Sequence, residues 1–251
     1  MHTRAHLPTL RSLTILATLL AATPFAAQAE EDQAPPYAPT SEYVEQELEG
    51  WRLLVHQQLL DDRELAERTL TLLRHQLYQI TRVVTPPVLE KLRRVTIWVE
   101  KNEPHHPCMA YHPDAGWLRE NGMNPEKARC VELANAENFL QWTHAQPWMV
   151  MHELAHAYHH QFLDQGFDNP EVAAAYRQAM DADRYRTVLH INGRRQKAYA
   201  TTNPMEYFAE TAEAFLGTND FYPYVRSELK EHDPVAYALH ERIWRAPAAA
   251  E

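Results

Sequence analysis

The sequence predicts an α+β fold, predominantly helical with a small mixed sheet. Three observations point that way. Apolar residues recur at helical spacing over long stretches such as 63–83, where Leu65, Leu70, Leu73, Leu77 and Ile80 form one stripe. Two short runs, 95–99 and 131–134, are β-branched or alternating and read as strands. Two later segments carry strong helix punctuation: Pro147 and Gly166 bracket one, and Asn203, Pro204 and Gly217 bracket the other.

In chain order, residues 1–29 read as a signal peptide. Arg4 and Arg11 open it, a short apolar core follows from Leu13, and Ala27-Gln28-Ala29 supplies a cleavage site. The core is too short to span a bilayer, and no cysteine stands nearby to accept a lipid, so no stable membrane anchor is expected. This implies export to a periplasm or the extracellular space. Cleavage removes two arginines and no acid, so the formal net charge of −10 becomes −12. Nucleic acid and anionic membranes are therefore poor partners.

Residues 30–41 are a Pro-rich, acidic lead-in, and residues 42–251 suffice for one domain with a sizeable core. Residues 42–60 and 63–83 read as amphipathic helices, and Thr85-Pro86-Pro87 ends the second. A short helical piece then leads to the strand at 95–99. Residues 101–126 read as a long loop rich in Pro, His and aromatic side chains, suited to form one wall of a cleft. Its His105, His106, Cys108 and His112 match no zinc-ligand spacing. Cys108 and Cys130 are the only cysteines, and in an oxidising compartment they are expected to form a disulfide worth roughly 3 kcal/mol.

The helix expected over residues 149–166, MVMHELAHAYHHQFLDQG, carries H-E-x-x-H as His152, Glu153 and His156. Four residues make one turn, so both imidazoles face one way and can share a zinc ion, with the carboxylate of Glu153 beside them. Two imidazoles and a carboxylate on so apolar a helix would be costly to bury without a common partner. Such a site activates water for amide hydrolysis, Glu153 acting as the general base. Phe162 occupies the place where a third histidine would follow a glycine turn, and His159 replaces that glycine. His160 is about 12 Å along the helix from His152, too far to share a tetrahedral ion.

A glutamate on a second helix remains as the third ligand. Residues 204–216, PMEYFAETAEAFL, place Glu206, Glu210 and Glu213 on one face. Glu206 also stands where a capping box would fold its side chain back, and Glu210 and Glu213 could be a solvated stripe. Against this, Tyr207, Phe208, Phe215 and Leu216 mark the helix as largely buried. Glu171 and Asp181, on the helix expected over 170–186, are rival carboxylates, but neither precedes a second acid in so well-capped a helix.

The run YATTNPMEYFAE, residues 199–210, downstream of an H-E-x-x-H helix, resembles the gluzincin-type zinc metallopeptidases of the anthrax lethal factor family, which includes the Pro-Pro endopeptidases. The resemblance spans residues 148–217 and implies a zincin-like catalytic domain with one zinc ion per chain. It implies that Glu206 is the third ligand, that Glu210 supports a ligand histidine, and that Tyr199 is a catalytic phenol. The insertion between the two helices is long, and the toxin's targeting domains have no counterpart, so no relative's substrate transfers. In zincin folds an edge strand binds extended substrate, and 131–134 or 95–99 is expected to do so here.

A short strand at 188–191, the Asn192-Gly193 turn and helices around 222–230 and 234–244 complete the chain. The sequence thus reads as an exported zinc metallopeptidase acting on a peptide or protein substrate. A zinc amidase acting on cell-wall peptides would use the same residues. A non-catalytic zinc-binding protein would have no need of Glu153.

Overall fold

The computed structural model describes residues 36–245. The signal-peptide reading of residues 1–29 therefore lies outside the described residues.

The chain opens with an antiparallel hairpin, β1 (Tyr43–Leu48) and β2 (Trp51–His56), where a helix over 42–60 was expected; only α1 (Gln57–Asp61) is helical there. The reversal lies in the two-residue turn Glu49-Gly50, whose φ values of 52° and 87° suit a tight hairpin and cannot belong to a helix. Leu48 pairs with Trp51, which is fully buried, and burying a side chain of that size contributes ~2–3 kcal/mol. That cross-strand burial overrides the helix-compatible composition of Glu45-Gln46-Glu47-Leu48.

Next come α2 (Arg63–Val83), capped by the Asp62 side chain, then α3 (Pro86–Arg93) and β3 (Ile97–Val99). The segment read as a long loop instead holds β4 (Met109–His112) and α4 (Ala115–Glu120), the latter capped by Asp114. Then follow β5 (Cys130–Leu133), α5 (Ala136–Trp142), α6 (Met149–Phe162) and α7 (Pro170–Asp181). A small hairpin of β6 (Val188–Leu189) and β7 (Arg195–Gln196) precedes α8 (Pro204–Leu216), α9 (Arg226–His232) and α10 (Pro234–Arg245).

The main sheet is ordered β1-β2-β3-β5-β4. Its centre, β2, β3 and β5, is parallel, and each edge strand pairs antiparallel to its neighbour. One face presents Leu53, Val55, Ile97, Val99, Val131 and Leu133 to the helices, all but fully buried. Helix α6 packs against β4, β5, α2 and α3 on that side and against α8 on the other, so it is enclosed along most of its length. Trp244 of α10 closes the far side against Tyr158 and Phe208.

The opposite sheet face buries a charged network. Lys127 Nζ donates to Glu100 at 2.7 Å and to Glu132, whose other oxygen lies 2.7 Å from His112 Nε2. Each charge therefore has a partner, which such burial requires.

The expected disulfide is absent: Cys108 and Cys130 are free thiols. Cys130 pairs with His112 across β4 and β5, whereas the Cys108 carbonyl accepts from Ala134, at the other end of that ladder. Four residues of strand separate the two levels, about 13 Å, well beyond the reach of a disulfide. No helix among the described residues is long and apolar enough to cross a membrane.

Candidate metal centre

The two best-punctuated helices, α6 and α8, cross at the base of a cleft of about 480 Å³. Its far wall is β4. The apolar residues of α6 hold the helix in the core, and His152, Glu153 and His156 line the cleft, the first two half-buried and His156 buried. On α8, Asn203 caps the helix by accepting from the Glu206 backbone N–H at 2.9 Å. The Glu206 carboxylate does not complete a capping box; it extends to the imidazoles.

Three donor atoms meet there. His152 Nε2 and His156 Nε2 are 3.1 Å apart, and Glu206 Oε2 lies 3.1 Å from the first and 3.2 Å from the second. A tetrahedron with ~2.0 Å bonds has ligand-to-ligand edges of about 3.3 Å, so this triangle matches one face of a zinc coordination sphere. Two imidazoles and a carboxylate are also the donor set that zinc favours in catalytic sites, so the residues fit the ion.

His152 Nδ1 lies 2.7 Å from Glu213 Oε1 and 3.9 Å from Glu210 Oε1. The hydrogen bond thus belongs to Glu213, and Glu210, the expected supporting carboxylate, stands one step back. Donation from Nδ1–H to Glu213 fixes the tautomer that leaves the Nε2 lone pair facing Glu206 and His156. Glu210 instead accepts from Asn219 Nδ2 at 3.4 Å. Both acids face His152 because they lie three residues apart on α8; the depth at which the helices cross decides which one reaches the ring.

Burial disfavours a charged imidazole at His152, but hydrogen bonds to Glu206 and Glu213 outweigh it and raise the group well above its ordinary value. Burial acts against ionisation of Glu206 too, and its two histidine partners overcome that and hold the carboxylate well below the usual range. Glu213 is pushed up to about 7 by burial, against the stabilising bond from His152. Burial and the repulsion of Glu213 and Asp220 raise Glu210 further.

Tyr199 opens a short 3-10 turn, Tyr199–Thr201, ahead of α8 and is 49% exposed on the cleft rim. Its ring centroid is 6.4 Å from that of His152. Partial burial, then the Glu206 carboxylate, raise the phenol above its ordinary value, so it stays a hydrogen-bond donor at neutral pH.

The rival residues are placed elsewhere. His160 Nδ1 lies 2.7 Å from the Tyr111 hydroxyl, and Glu171 pairs with Arg242 at 2.7 Å on the surface. His105 contacts Glu103 and His112 contacts Glu132, so the histidines of residues 101–126 do not assemble a common site.

The strands expected to receive substrate, 131–134 and 95–99, are interior: β5 and β3 each have a hydrogen-bonded neighbour on both sides. The edge that borders the cleft is β4, with Cys108, Met109, Ala110 and Tyr111 along it. Sequence reasoning also missed Asp220, which lines the cleft below Glu210 and Glu213. Its position three residues past the Gly217 helix stop was the available signal.

No protein-family model matches the chain, and no curated protein sequence matches it. Among solved structures, the chain is similar to the Pro-Pro endopeptidase PPEP-2 from Paenibacillus alvei, at 19% sequence identity and a TM-score of 0.37. That similarity covers 66% of this chain and 86% of the other.

Proposed function

We propose that this chain is an exported, zincin-like zinc metallopeptidase that hydrolyses peptide bonds. The observation that carries the reading is the convergence of His152 Nε2, His156 Nε2 and Glu206 Oε2 at 3.1–3.2 Å in an open cleft, with Glu153 beside them. A zinc ion held by those three residues would supply Lewis acidity, polarising a carbonyl and lowering the pKa of water.

The chain's own residues account for the rest. Glu153 is the general base that takes a proton from the attacking water and returns it to the leaving amine. Tyr199, protonated on the rim, donates to the oxyanion as it develops. Glu213 orients His152 by accepting from its Nδ1–H, which keeps the Nε2 lone pair towards Glu206 and His156. An extended peptide adds to the free edge of β4 through backbone hydrogen bonds.

The experiment is peptide-library hydrolysis by the zinc-loaded protein, its chelated form and Glu153→Gln. Cleavage by the first alone supports the reading. Cleavage unaffected by Glu153→Gln refutes it. Activity confined to purified cell-wall cross-links would instead assign the same residues to an amidase.

A further inference from the structure

We infer that the hairpin of β6 and β7 is a docking surface for an acidic segment of the peptide substrate. This rests on the metallopeptidase reading for the word substrate, but the surface itself stands on separate observations.

The chain holds 34 acidic and 24 basic residues, yet residues 184–205 contain Arg184, Arg186, Arg194, Arg195 and Lys197 and no acid at all. Two of these cations are engaged: Arg184 donates to the His232 carbonyl, and Arg186 pairs with Asp183 at 3.4 Å. Arg194, Arg195 and Lys197 are exposed and have no ion pair among the described residues. Ile191, at the tip, is 44% exposed and adds an apolar contact.

A loose, solvated loop would not organise these charges, but this hairpin is pinned. Ile191 N–H donates to the Asp220 carbonyl at 2.8 Å, and Tyr222 N–H donates to the Leu189 carbonyl at 2.8 Å. His190 pairs with Phe221 as a β-bridge, and its ring lies 3.4 Å from the Asp220 carboxylate. Asp220 lines the metal cleft, and Lys197 stands two residues before Tyr199 on its rim. The cationic surface is therefore fixed to the shoulder of the cleft.

The cleft walls offer an acidic segment no such partner. Glu153, Glu206, Glu210, Glu213 and Asp220 line it, with no lysine or arginine. An acidic segment finds cationic partners on the hairpin and none on the cleft walls. A polypeptide with an acidic stretch to one side of its cleavage site fits this arrangement. Nucleic acid fits poorly, because its unbroken line of phosphates must run past the three cations along a chain of net charge −10, whereas an acidic peptide segment can be as short as the hairpin.

The test uses full-length, zinc-loaded protein. Glu153→Gln is titrated with fluorescein-labelled Glu-Ala and Lys-Ala repeat peptides and with a thymidine oligonucleotide, followed by anisotropy at low and physiological salt. The expected result is binding of the acidic peptide at least about 10-fold tighter than the basic one, weakened by salt and lost in Arg194→Glu/Arg195→Glu/Lys197→Glu. The milder triple alanine variant loses it in part, and circular dichroism verifies folding. Equal binding of both peptides, a preference that survives charge reversal, or tighter binding of the oligonucleotide overturns the inference. In a second arm, a library-derived substrate carries an acidic tail at either end. One tail should lower KM by about 10-fold with kcat unchanged, in the wild type only. If the wild type cleaves no peptide, the metallopeptidase reading fails, while anisotropy still decides the hairpin.

Discussion

Glu213 lies 2.7 Å from His152 Nδ1, across the crossing of α8 and α6, and Glu210 on the same helix face stops at 3.9 Å. The closer acid holds the imidazole in its metal-ready tautomer. Replacing Glu213 with alanine is therefore expected to weaken zinc binding by about 10–100-fold, measured by competition with a chelating dye. Glu210→Ala should change it far less. Equal losses in the two variants would remove Glu213 from this role.

Tyr199→Phe deletes one hydroxyl at the rim without touching a proposed ligand. The expected outcome is a fall in kcat of about 100-fold, within the range for loss of an oxyanion donor, with zinc content unchanged. A variant with wild-type kcat would make Tyr199 a bystander.

Gly217 ends α8 where the indole of Trp148 presses on it. A Cβ built there would sit 1.8 Å from the Trp148 ring, so one of the two elements that carry the metal residues must shift. Gly217→Ala should cost about 1–3 kcal/mol in urea unfolding. A Trp148→Ala/Gly217→Ala double variant should recover part of what the steric clash costs. An unchanged midpoint in Gly217→Ala would show that the contact has slack.

His159 and His240 are buried neutral, and burial lowers both from an ordinary 6.5 to about 3. The unfolded chain protonates them as pH drops below 6.5 and the folded chain does not. Their contribution is thus fully present above that value and is lost progressively towards 3. At pH 5 each should cost the metal-free protein about 2 kcal/mol relative to neutral pH. Neither ring nitrogen of His159 has a hydrogen-bond partner among the described residues, so His159→Leu should flatten the dependence between pH 5 and 7.5. A slope unchanged by that substitution would assign the acid sensitivity to other groups.

Helices α2 and α8 were legible to the residue, and α6 nearly so, because their apolar spacing and their Pro86, Asn203, Pro204 and Gly217 punctuation are local. The β1 and β2 hairpin was not, since burial of Trp51 against distant residues decides it. β4 was hidden in a Pro- and His-rich segment with no alternation of its own, and with it went the identity of the strand edge that borders the cleft. The spacing of His152, Glu153 and His156 exposed one half of the candidate site. The other half was legible only as a set: Glu206, Glu210 and Glu213 share a face, and the offset between two helices determines which meets Nε2 and which meets Nδ1. The cysteines carried no register information, so counting two of them led to a bond that the ladder forbids.

Zinc content after exhaustive dialysis, compared between wild type, Glu153→Gln and Glu206→Ala, bears on the core of this reading. One ion per chain is expected in the first two, and less than about 0.1 in Glu206→Ala, whose site has lost its only anionic ligand. Full zinc in Glu206→Ala, or none in the wild type, would contradict it.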